Sequence, residues 1–108
     1  MMYSVYVVAD AEEDIFEIYR YVATHDIPGK AETLFQNLKE TIFSLTAQPV
    51  RGHVPPELER LKVFDFLEIH YKPYRIIYQI IEIDVFVHGV FGGRRNLQDI
   101  LQQRLLRV

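Results

Sequence analysis

The chain has 108 residues, a mass of 12.8 kDa, 49% hydrophobic and 25% charged side chains, the profile of a single folded domain over 1–108, which excludes disordered and collagen-like chains. It contains no cysteine, so disulfides, zinc-thiolate centres, iron–sulfur clusters and cysteine nucleophiles are excluded, and a reducing cytosol suits it. The formal net charge of −3 is not the basic excess that marks generic nucleic-acid binders. The longest run without a charge, Thr41 to Val50, is ten residues against the ~20 that span a bilayer. No basic region precedes the first apolar run, so neither a signal peptide nor a membrane partner is expected.

Tyr3 to Val8 alternates and is rich in Val and Tyr, which predicts a strand. Asp10 follows as the expected N-cap of a helix, with Glu13 three residues on in the manner of a capping box. Ala11, Ile15, Ile18 and Val22 form one apolar helix stripe, ended near His25 by Pro28 and Gly29. Pro28 is expected to open a second helix with the stripe Ala31, Leu34, Leu38, Ile42 and Leu45, closed by Pro49 and Gly52. A short link makes the two helices an antiparallel hairpin, whose one-sided apolar faces need a sheet to cover them.

Arg51 to Arg60 is a polar, proline-bearing loop. Period-two patterning then predicts strands over Lys62–Tyr71, bulged near Phe66–Leu67, and over Tyr74–Ile81 and Val85–Phe91. Lys72-Pro73 and Glu82–Asp84 are the turns. Tyr74–Ile81 is apolar on both faces and therefore central. Gly92-Gly93 ends the sheet, and Asn96 caps a last helix, Leu97–Leu106, with the stripe Leu97, Ile100, Leu101 and Leu105. The fold class is α+β, ordered β-α-α-β-β-β-α, with a helical hairpin on a small, mainly antiparallel sheet and a C-terminal helix. Its expected core includes Ile15, Ile18, Leu34, Leu38, Ile42, Ile76, Tyr78 and Val87.

Charge is unevenly placed. Residues 1–26 carry six acidic side chains against Arg20, and residues 94–108 carry four arginines against Asp99. These read as solvated helix faces, or as a basic end that meets something acidic. No phosphate loop, dinucleotide fingerprint or nucleophile elbow is present. His25, His53, His70 and His88 have no helical i, i+4 pairing, so no metal site is assigned from them. Arg75, early in a central strand, must pair with a carboxylate such as Glu68 or Asp65, or face a functional groove. Arg94-Arg95 follow the glycine turn, where guanidinium forks suit phosphate or carboxylate.

These segments resemble the RelE/ParE superfamily of bacterial type II toxins. The resemblance runs through Ala11–Val22, Leu45, Pro49 and Gly52. It is most specific at Tyr74-Arg75-Ile76-Ile77-Tyr78, and at Gly93-Arg94-Arg95-Asn96 followed by Leu101 and Arg104-Leu105-Leu106. The family position before the glycine-arginine pair is often His and here is Gly92. The resemblance implies a cytoplasmic toxin without a cofactor, neutralised by a cognate antitoxin, active in growth inhibition and plasmid stabilisation, as a homodimer or a toxin–antitoxin hetero-oligomer.

Two activities are known in the superfamily. RelE-like members cleave mRNA in the ribosome, and ParE-like members poison DNA gyrase. RelE-like members place lysines on the strand before the Tyr-Arg motif and a tyrosine in the last helix. Those positions here fall on Phe66, Glu68 and near Ile100. The ParE-like branch is therefore expected, with Arg75, Arg94 and Arg95 binding the target and costing little stability if exposed. A ribosome-dependent endoribonuclease using Arg75, Glu68, His70 and His88 is the alternative, and a non-toxic binding member is the third.

Overall fold

A computed structural model describes residues 2–105, residue 105 by its backbone alone. The elements run β1 (Ser4–Val7), α1 (Ala9–His25), α2 (Lys30–Phe43) with a 3-10 turn at Ser44–Thr46, α3 (Pro56–Glu59), β2 (Leu67–Tyr71), β3 (Tyr74–Ile81), β4 (Asp84–Gly92) and α4 (Leu97–Leu105). The sheet order is β1-β4-β3-β2, with β1 parallel to β4 and both other pairings antiparallel. The β-α-α-β-β-β-α order is thus observed, interrupted by the short α3. Leu106 of the predicted last helix and the Leu105 side chain lie outside the described residues.

Several boundaries differ from the sequence pattern. The helix α1 begins at Ala9 with Val8 as its N-cap and no side-chain cap, so Asp10 lies inside the first turn, where its charge favours the helix dipole. The helix α2 starts after Gly29, whose φ of 87° is the left-handed conformation glycine adopts without a steric penalty. Pro28 therefore sits in the turn and not at the first helical position. The strand expected from Lys62 starts only at Leu67, and the register shift falls at Ile77/Tyr78 in the β3–β4 pairing.

Alternation along β3 divides the core between the two sheet faces. Ile76 and Tyr78 join Ala11, Leu38, Ile42, Leu45 and Val87 beneath the α1–α2 hairpin. Ile77 joins Phe91 and Leu58 beneath α4, which contributes Leu97, Ile100 and Leu101. Ile15, Ile18 and Leu34 are partly buried against the first cluster, as expected for a stripe at the margin of a helix–sheet contact. The basic C-terminal end does meet something acidic. Arg104 Nη2 donates to Asp14 Oδ1 of α1 at 2.6 Å, and Arg104 Nη1 donates to the His88 carbonyl at 2.8 Å.

Candidate functional site

The face of the sheet that carries α4 also carries the polar residues. Alternation in β2 and β3 places Glu68, His70, Arg75 and Ile77 on one side, with His70 opposite Arg75 and Glu68 opposite Ile77. The loop before β2 folds back across this face. His53 N donates to the Glu68 carbonyl at 3.1 Å and Glu68 N donates to the His53 carbonyl at 2.7 Å. That bridge fixes His53 beside β2. The loop is also pinned from below, since Tyr78 Oη donates to the Pro49 carbonyl at 2.6 Å and accepts from Gly52 N at 3.1 Å. Burial raises the Tyr78 phenol above its usual pKa, so it remains the neutral donor these bonds require. Helix α3 then sets Glu57 over Arg75.

Arg75 is clamped between two carboxylates. Its Nε and Nη2 donate to Glu68 at 2.8 and 3.2 Å, while Nη1 and Nη2 donate to Glu57 at 2.6 and 2.9 Å. Two forks occupy four of the five guanidinium N–H groups. Arg75 is 7% exposed and Glu68 is 1% exposed. The Arg75 hydrogen bonds hold the Glu57 carboxyl down at about 2, and the Glu57 hydrogen bonds push the arginine above its already high value. Of the two readings open for Arg75, the geometry is that of the structural ion pair, with Glu68 as one partner. Glu57, from the loop, is the partner the sequence did not reveal. Arg75 therefore carries stability in addition to any target role.

A cleft of about 400 Å³ opens beside the clamp, lined by His53, Glu57, Glu68, His70, Lys72 and Gly93 among others. His70 Nε2 lies 3.2 Å from Glu68 Oε1, and His53 Nε2 lies 3.3 Å from Glu68 Oε2. His88 does not line this cleft. It pairs with Gln79 at 3.1 Å and packs edge-on against Phe66, and burial lowers its pKa. The structure thus brings Arg75, Glu68 and His70 together, leaves out His88 and adds His53. Gly93 donates its N–H to the Pro73 carbonyl at 2.8 Å, which puts the following turn at the rim of the cleft. Arg94 and Arg95 in that turn are exposed; Arg95 lies over the Phe91 ring at 5.8 Å and lines a separate concavity with Asp14, Glu17 and Tyr74.

A second concavity, about 700 Å³, runs between α1 and α2 over Ile15, Phe16, Tyr19, Phe35, Ile42 and Phe43. Phe16, Phe35 and Phe43 are exposed at its walls, at 56%, 43% and 46%.

Residues 5–97 match the sequence model of the ParE toxin of the type II toxin–antitoxin system parDE. The chain belongs to the ParE toxin family. Its fold is shared with solved ParE and RelE structures. A chain of the chromosomal ParDE system of P. aeruginosa superposes with a TM-score of 0.70 at 17% identity, covering 84% of this chain and 96% of that one. The RelBE2 toxin–antitoxin complex of Mycobacterium tuberculosis gives 0.62 at 19%, covering 85% and 99%. A variant of the E. coli toxin RelE in its free state gives 0.58 at 18%, covering 100% and 99%. The comparison with curated protein sequences finds no match. As in the sequence reading, no helix among the described residues is long and apolar enough to cross a membrane.

Proposed function

We propose that this ParE-family chain is a toxin that poisons DNA gyrase and is held silent by a cognate antitoxin. The clamp on Arg75 is the observation that carries the reading. Cleavage of RNA by its 2′-OH needs a base, cations to stabilise the charged phosphorane and an acid for the leaving oxygen. In this cleft the buried cation is already committed to two carboxylates. Glu57 and Glu68 together balance Arg75 and Lys72 at the cleft, so these side chains leave no cationic excess to stabilise a phosphorane. Arg94 and Arg95, exposed in the turn after Gly93, are cations available to a protein target, with Arg75 holding the adjacent sheet face in shape.

The antitoxin fits the α1–α2 groove. Its apolar floor and three exposed phenylalanines suit the apolar stripe of an amphipathic helix, and Lys39, Glu12 and Glu32 at its edges suit polar flanks. This partner is the counterpart named in the ParDE and RelBE2 structures.

Expression from a tight promoter separates the activities. Gyrase poisoning gives filamentation, the SOS response and cleaved DNA complexes with purified gyrase, all reduced by Arg94→Ala with Arg95→Ala. Rapid loss of mRNA at ribosomes overturns the reading in favour of a ribosome-dependent endoribonuclease. The observation on that side is the pair of imidazoles, His53 and His70, at the cleft beside Glu68. Absence of any growth effect supports the binding-only member.

A further inference from the structure

We infer that His53, Glu68 and His70 form a binding site for a divalent transition-metal ion of the zinc class. One coordinating atom from each residue lies within 4.8 Å of those from the other two. Both Nε2 atoms already approach the carboxylate at 3.2 and 3.3 Å. Ligands at zinc bond lengths on a tetrahedron are separated by about 3.3 Å, so whichever Glu68 oxygen serves as the donor, one His–Glu edge already stands at the coordination spacing: Oε1 with His70 and Oε2 with His53. The second His–Glu edge and the histidine–histidine edge, both within 4.8 Å, have to close, and both rings are partly exposed, at 56% and 47% of their side-chain surface, and so can turn.

The electrostatics and the lone pairs agree. An ionised carboxylate offers about four acceptor directions. Arg75 takes one on each oxygen of Glu68, which leaves the outer directions facing the imidazoles. Glu68 is nearly inaccessible, and the trio of Glu68, Arg75 and the partly exposed Glu57 is one positive charge short of neutral. Water screens that deficit poorly at a buried site. A cation shared by Glu68 and two neutral imidazoles supplies the missing charge, and the N₂O donor set suits zinc, nickel or copper over calcium or magnesium. A tetrahedral ion held by three protein ligands keeps a fourth position, which here opens to the cleft.

The three ligands come from the loop before α3 and from β2, so the ion adds a cross-link to a segment already held by the His53–Glu68 backbone bridge, the Tyr78 hydrogen bonds and the Glu57–Arg75 fork. This site is independent of the choice between gyrase and ribosome, and its test reads no toxic activity. The full chain, stripped with chelator and desalted, is titrated with zinc chloride by calorimetry and by competition with a chromophoric chelator. One equivalent should bind at micromolar concentration or tighter, and the melting temperature should rise with zinc. His53→Ala and His70→Ala should each weaken binding by at least about tenfold, whereas His25→Ala and His88→Ala should leave it unchanged. Long-range ¹H–¹⁵N spectra should show the Nε2 resonances of His53 and His70 shifting together. Both alanines replace partly exposed rings, so they spare the fold even if Glu68→Gln does not. No binding below about 100 µM zinc, well above the affinities of protein-built sites, would overturn the inference. So would binding that survives in the double variant His53→Ala/His70→Ala.

Discussion

At Arg75 a single guanidinium decides how stability and function share the site. Removing it leaves Glu68, 1% exposed, without its strongest partner and frees Glu57 from its fork. Breaking one side of a buried ion pair costs about 3–5 kcal/mol. Arg75→Ala is therefore expected to lower the urea midpoint strongly, and a loss of toxicity in that variant has to be read beside its stability. Glu57 gives the pH signature. The Arg75 hydrogen bonds hold its carboxyl down at about 2 in the folded chain, against an ordinary 4.5. A depressed folded value contributes stability that is fully present above the unfolded value and fades as pH falls from 4.5 toward about 2. Urea midpoints measured across that window should fall more steeply for the unmodified chain than for Glu57→Gln, which lacks the titrating group. Parallel curves would remove the clamp from the account. Glu68 and Asp65 stood in the sequence as candidate partners because both precede Arg75 closely on one predicted strand. Glu57 was invisible for a physical reason, since it reaches Arg75 only after the chain folds back across the sheet, 18 residues away in sequence.

At the scale of elements, long periodic segments were legible and short ones were not. The α1 and α2 stripes and the β3 and β4 runs are dictated by burial on one or both faces, and their patterns survive in the sequence. Helix α3 has four residues, too few to display a period. Val63 and Phe66, inside the strand expected from Lys62, are apolar because they pack on the α4-side core, not because they pair with a neighbour. The same loop holds a strict steric condition. A Cβ at Gly52 would stand 2.5 Å from Tyr78 Oη and 2.7 Å from the Glu68 carbonyl oxygen. Tyr78 is fully buried, and the carbonyl belongs to the His53–Glu68 bridge, so neither can yield cheaply. Gly52→Ala should destabilise by about 2 kcal/mol or more through overpacking, and Tyr78→Phe by about 1–3 kcal/mol through the unsatisfied Gly52 N–H and Pro49 carbonyl. Thermal melts check both, and the loop amides of 49–53 should exchange faster in each variant.

The whole molecule is joined across its sheet by one acidic side chain. Asp14, on the hairpin side, is 8% exposed; it accepts from Val90 N at 3.0 Å and from Arg104 of α4 at 2.6 Å. Gly89 makes the crossing feasible, because a Cβ there would stand 2.9 Å from Arg104 Nη1, the close approach that a glycine within a strand commonly marks. The sequence showed an acidic N-terminal segment, residues 1–26, and a basic C-terminal end, but not that one residue of each would meet through the middle of β4, since charge excess carries no register. The two layers should therefore unfold as a unit. Asp14→Ala strands a β4 amide and leaves Arg104 only its bond to the His88 carbonyl, so it is expected to cost about 3 kcal/mol, more than Arg104→Ala, which leaves Asp14 its bond to Val90. A double-mutant cycle on the pair should give a coupling of at least about 1 kcal/mol. Hydrogen exchange of α4 should accelerate in either single variant, because the helix loses its tie to α1 and rests more heavily on Leu97, Ile100 and Leu101. Additive effects, with α4 protection unchanged, would mean that apolar packing fixes α4 and that the Asp14–Arg104 contact is a surface pair of no consequence.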